Sequence, residues 1–143
     1  MKTYHSNSVH ETERIARALV KDLAPGDVVA FRGGLGAGKT AFTRGLAEGI
    51  GIPAGEVTSP TFTLVNEYRG GDIILYHFDM YRVNGFDALY STGFFDYLDG
   101  GGILAIEWSE NISSELPKNA VTVTMLPTGE NSRRIIIEGS GRF

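Results

Sequence analysis

The chain of 143 residues contains no cysteine. That excludes disulfides and cysteine-ligated metal as supports of the fold, and it fits a reducing compartment. Long apolar runs are missing too. None approaches the ~20 residues needed to cross a bilayer. The first residues, Met1-Lys2-Thr3-Tyr4-His5, lack the apolar stretch of a secretory signal. A cytoplasmic location with no membrane partner is therefore expected. Basic charge is scarce: 13 Lys and Arg stand against 17 Asp and Glu, for a net charge of −4 and a pI near 5.3. That balance argues against unaided tight binding to nucleic acid, so a role on RNA needs a local patch or a partner that supplies the charge. Repeats, low-complexity segments and linkers are also absent. The length and a 42% hydrophobic fraction suit a single domain over residues 1–143 with a substantial core.

Glycine, by contrast, is abundant, at 19 residues. Its densest use is informative: Gly33-Gly34-Leu35-Gly36-Ala37-Gly38-Lys39-Thr40 is a full match to G-x-x-x-x-G-K-[ST]. In that pattern the glycines let successive backbone N–H groups turn toward one anion. Lys39 reaches the β- and γ-phosphates, and the Thr40 hydroxyl ligates Mg²⁺. The context agrees. Val28-Val29-Ala30-Phe31 reads as a buried strand opened by Pro25-Gly26, while Phe42, Leu46 and Ile50 recur at helical spacing until Gly49 and Gly51. A strand, a glycine loop and a helix together point a helix N-terminus at a phosphate. Gly33, Leu35, Gly36, Ala37, Gly38, Lys39, Thr40 and Ala41 are the expected nucleotide contacts.

Upstream, Ser8 with Glu11 forms a capping box, and Ile15, Leu19, Val20 and Leu23 predict a helix from about Val9 to Leu23. Downstream, Phe62–Tyr68 and Ile73–Phe78 read as a hairpin turned at Arg69–Asp72. Phe86–Leu98 holds a short helix or two, interrupted at Gly93. The continuous apolar run Ile103–Ile106 has the composition of a central strand covered on both faces. Val121–Leu126 and Arg134–Ile137 close the chain as strands around Pro127-Thr128-Gly129. The fold class is α/β: a single small P-loop NTPase domain with a mixed, mainly parallel central sheet and an antiparallel part.

Hydrolysis needs a carboxylate for Mg²⁺ and a group to hold the attacking water. Asp79 and Glu107 both end apolar strands, where the carboxyl edge of an α/β sheet meets its ligands. The Ile73–Asp79 segment looks like a Walker B strand; the alternative for each acid is a carboxylate that caps a turn. Thr61 lies on a loop from which a hydroxyl can meet the γ-phosphate or Mg²⁺, or else simply enters a strand. His77 alternates with Tyr76 and Phe78 and reads as packed and hydrogen-bonded rather than as a general base. Trp108 is expected in the core, the alternatives being a partner contact or a place near the nucleotide; Arg82, Arg133 and Arg134 are expected at the surface, against phosphate-charge neutralisation by Arg82 or stacking of the Arg133-Arg134 pair on the base.

The loop Gly-Ala-Gly-Lys-Thr, the block Ser59-Pro60-Thr61-Phe62-Thr63-Leu64-Val65, His77-Phe78-Asp79-Met80-Tyr81-Arg82, and Glu107-Trp108 occur in that order. With them the chain resembles the bacterial TsaE (YjeE) family from about Ser8 to Ile137. The resemblance implies an ATPase of tRNA threonylcarbamoyladenosine biosynthesis, weak alone. Its partners would be TsaB and TsaD, which transfer the threonylcarbamoyl group to adenosine 37; tRNA would be met only through that complex. It further implies that Thr40 and Glu107 hold Mg²⁺, that Asp79 is a catalytic or Walker B-like acid, and that Ser59–Thr63 is a switch-like loop. ATP turnover would reset the complex between cycles. Gly34, Met80 and Val83 depart from the residues common at those positions.

Other readings of the residues alone are a small P-loop kinase of a metabolite, a GTPase switch, and a nucleotide binder without hydrolysis. The kinase lacks an obvious arginine-rich lid. The GTPase lacks an Asn-Lys-x-Asp element, since no Asn precedes a Lys. Two acids at strand ends count against the pure binder.

Overall fold

The structure is a computed structural model that describes residues 1–33, 38–58, 60, 64–139 and 141–143. Its centre is a seven-stranded sheet in the order β1-β7-β6-β2-β5-β4-β3, formed by β1 (Lys2–Ser6), β2 (Val28–Gly33), β3 (Val65–Gly70), β4 (Ile73–Asp79), β5 (Ile103–Glu107), β6 (Val121–Pro127) and β7 (Arg133–Glu138). The middle is parallel, with β2 between β5 and β6 and β4 beside β5. Both flanks are antiparallel: β3 pairs with β4, and β1 and β6 pair with β7. The mixed sheet expected from the sequence is the one observed.

Side-chain alternation divides the core. On β5, Ile103 and Ala105 join one buried cluster while Leu104 and Ile106 join the other, so the uninterrupted apolar run serves two faces. The first cluster packs the sheet against helix α1 (Val9–Val20) and helix α2 (Lys39–Gly49) through Ala16, Leu19, Phe42 and Leu46. The second packs it against α3 (Gly85–Ser91), α4 (Phe94–Asp99) and a 3₁₀ segment at Ser109–Glu115, around Phe78, Leu89, Phe94 and Ile112. Phe78 meets Phe94 at 5.6 Å and Tyr97 at 5.3 Å between ring centroids, both edge-on.

Local signals explain most boundaries. The Glu11 N–H donates to Ser8 Oγ at 3.1 Å, as a capping box requires, but the Glu11 carboxylate accepts from the N–H of Asn7 rather than Ser8, at 2.8 Å. Helix α1 ends at Val20, earlier than the expected Leu23, because Asp22 and Leu23 bond back to Leu19 and Val20 in tighter turns. The hairpin is present with other bounds: its first strand starts at Val65, after Leu64 at positive φ, and Arg69 and Gly70, expected in the turn, pair with Ile74 and Ile73, while Phe62 and Thr63 lie outside the described residues. Strand β1 was not expected. Its first five residues are polar or exposed, and only pairing with β7 makes them a strand.

Candidate active site

Strand β2 runs into the glycine loop, and α2 begins on its far side. Gly33 has φ +131°, and a Cβ there would lie 2.3 Å from the backbone oxygen of Met125 on β6. Only glycine passes that point without moving the sheet. Gly38, with φ +97°, is the N-cap of α2 and makes no side-chain cap. The first N–H groups of α2 thus form the positive end of a helix beside a cavity of about 290 Å³. Gly38, Lys39, Thr40 and Ala41 line that cavity from α2, Glu107 and Trp108 from the end of β5, and Arg133 from β7. Lys39 is only 4% exposed, and its Nζ stands 4.9 Å from the centre of the Trp108 ring, a cation–π contact.

The two strand-end acids are neighbours. Parallel pairing of β4 and β5 sets Asp79 opposite Glu107 and His77 opposite Ala105. His77 is fully buried, and its Nε2 lies 2.5 Å from Glu107 Oε2. An ionised carboxylate only accepts, so in that pair the imidazole N–H donates. His77 is the packed, hydrogen-bonded residue its alternation suggested, and its partner is the carboxylate that reaches the cavity. Asp79 is engaged differently: its Oδ1 accepts the N–H of Tyr81 at 2.9 Å, capping the turn after β4, and it is not among the residues lining the cavity.

That corner is tied down from several sides. Ser109 Oγ donates to the Phe31 carbonyl of β2 at 2.7 Å, Asn111 Nδ2 donates to the Met80 carbonyl at 2.8 Å, and the Met80 N–H donates to the Glu107 carbonyl at 3.0 Å. Among the described residues, the non-glycine residues with positive φ are Leu64 (68°) and Trp108 (58°). Both flank the acids: the Leu64 carbonyl accepts the Asp79 N–H at 2.9 Å, and Trp108 follows Glu107. Left-handed backbone costs such residues about 1–2 kcal/mol each and is concentrated at functional sites.

Of the residues named from sequence, Gly38, Lys39, Thr40, Ala41 and Glu107 meet at one cavity; Gly33 sets the entry to the loop, and Asp79 stands one strand away. Leu35, Gly36, Ala37 and Thr61 lie outside the described residues. Two expectations need correction. Arg133, expected at the surface, is half-buried and lines the cavity; a Cβ on Gly38 would collide with its guanidinium. Arg134 is the exposed one of the pair, because inward and outward positions alternate along β7. Trp108, expected in the core, does lean on the second cluster, but its ring also faces Lys39 and meets Tyr81 at 4.9 Å between centroids. Neither placement has a local signal, since both depend on which strands end beside α2.

Residues 6–135 match a family model described as Threonylcarbamoyl adenosine biosynthesis protein TsaE. The chain belongs to the TsaE family. A TsaE of Bacillus subtilis (strain 168), a tRNA threonylcarbamoyladenosine biosynthesis protein, is 40% identical over 92% of this chain and 81% of its own length. The TsaE of Treponema pallidum (strain Nichols) is 39% identical over 92% of this chain and 96% of its own. In three dimensions, the crystal structure of Bacillus subtilis YdiB superposes with a TM-score of 0.78 at 35% identity, covering 98% of this chain and 86% of that one. The resemblance seen in the glycine loop and the strand-end acids is thus one of sequence and fold across nearly the whole TsaE-family domain.

Proposed function

We propose that this TsaE-family chain binds and hydrolyses ATP with Mg²⁺, and that its turnover acts on a TsaB–TsaD complex to drive or reset formation of threonylcarbamoyladenosine at position 37 of tRNA. The observation that carries this reading is the shared cavity: the head of α2, with Lys39 and Thr40, faces a carboxylate from β5 across a space of about 290 Å³. The helix N-terminus and Lys39 would take the phosphates, with Nζ leaving the Trp108 ring for phosphate oxygens. Among the described residues no group of three or more His, Cys, Asp or Glu is placed to hold a metal. A site of one hydroxyl and one carboxylate suits Mg²⁺, which keeps waters and phosphate oxygens as its other ligands. Thr40 and Glu107 would hold it, His77 keeping the Glu107 carboxylate aimed. Mg²⁺ held there would supply positive charge against a bound triphosphate. The net charge of −4 supports contact with tRNA through partners rather than directly.

Phosphate release from ATP·Mg²⁺ by the wild type and by Lys39→Ala tests the reading. A fall of about 100-fold or more with unchanged circular dichroism is expected. An unchanged rate would place hydrolysis elsewhere, and a phosphorylated metabolite formed with matching ADP would favour the small P-loop kinase.

A further inference from the structure

The outer face of α3 and α4 carries rings that the nucleotide cavity does not use. Phe86 and Tyr90, four residues apart on α3, are 54% and 68% exposed and stack at 6.1 Å with 29° between planes. Phe95 of α4 closes the group at 5.7 Å from Phe86 and 6.4 Å from Tyr90. The base beneath is packed: Leu89 and Phe94 are completely buried, and Phe95 sits edge-on to Phe94 at 5.5 Å. A preformed cluster of exposed aromatic rings is the composition of an interface centre, where Phe and Tyr anchor and lose little entropy on binding. The charge carried by α3 and α4 themselves has one sign. No Lys or Arg occurs between Arg82 and Lys118, while Asp87, Asp96 and Asp99 on these two helices are exposed.

We propose that this patch docks a partner protein whose matching surface is apolar at its centre and basic at its rim. The acidic rim repels the phosphates of nucleic acid and the anionic face of a membrane. It also opposes a two-fold dimer through the same patch, which would bring carboxylates against carboxylates. The surface adjoins the nucleotide site in the chain. Helix α3 follows the Tyr81–Asn84 turn, and Tyr81, 58% exposed, rests on the Trp108 ring that covers Lys39.

The inference rests on the reading that the chain works on TsaB and TsaD, and that purified pair from the same organism is the probe. Calorimetric titration of the pair with wild type and with the Phe86→Ser/Tyr90→Ser double variant is the test. The double variant should bind at least about tenfold more weakly, while its ATP affinity, followed by Trp108 emission, stays within about twofold of wild type. Asp87→Lys/Asp96→Lys should weaken binding as well, and added salt should weaken the wild type. Equal binding by wild type and the double variant overturns the docking surface and leaves the partner reading intact. A wild type that does not bind the pair removes both. A wild type that self-associates in sedimentation while the double variant does not assigns the patch to a second copy and overturns the proposal.

Discussion

Replacing His77 with Leu separates its positioning role from its packing role. The imidazole is fully buried on β4, and its one short polar contact among the described residues is the 2.5 Å bond to Glu107. Leucine fills similar space but cannot donate, so a carboxylate whose side chain is 13% exposed loses a charge-assisted hydrogen bond. That loss costs about 1.5–3 kcal/mol. For a domain of this size it corresponds to a fall in Tm of roughly 3–12 °C. The functional consequence is distinct. If Glu107 holds Mg²⁺, an unaimed carboxylate should raise the Mg²⁺ concentration for half-maximal ATP binding by about 10–100-fold. Binding of ATP without metal should barely change. The assay is a Mg²⁺ titration at fixed ATP with Trp108 emission as the signal. His77→Gln should recover much of the loss, because its amide can donate from nearly the same place. A lowered Tm with an unchanged Mg²⁺ midpoint in His77→Leu would refute the positioning role and leave the histidine purely structural.

Gly33→Ala should destabilise the fold by about 3 kcal/mol, since strain at positive φ adds to a collision with the sheet backbone; the added Cβ would meet the Met125 carbonyl oxygen at 2.3 Å. A urea midpoint equal to wild type would contradict that. Phe78→Ala should cost about 3–5 kcal/mol by opening a cavity between Phe94 and Tyr97, measurable as a shift in the same midpoint. Trp108 is the single tryptophan, and its ring lies against Lys39. ATP should therefore change the intrinsic emission of the wild type and not that of Lys39→Ala; emission indifferent to saturating ATP would show that Lys39 stays on the ring.

The nucleotide loop was legible because its chemistry is local. Gly38, Lys39 and Thr40 are adjacent in sequence, and the strand before and helix after them announce themselves by period. The second half of the site was legible only as two separate strand ends. Glu107 reaches the cavity and Asp79 caps a turn, although both follow apolar runs. The difference arises because β5 lies next to β2 and β4 lies one strand farther out. The His77–Glu107 bond spans 30 residues and exists through the parallel register of β4 and β5. Arg133 and Trp108 were misplaced for the same reason: each is set by long-range strand order, on which composition is silent. Strand β1 failed differently, being a polar segment made into a strand by an edge it happens to cover.

The proposed function joins an ATP site in this chain to a TsaB–TsaD pair that reads its turnover. Phosphate release from ATP·Mg²⁺ by the wild-type chain, alone and then with purified TsaB–TsaD complex, tests it most directly. Slow release that climbs steeply when the complex is added is the expected result. A rate indifferent to the complex would contradict it.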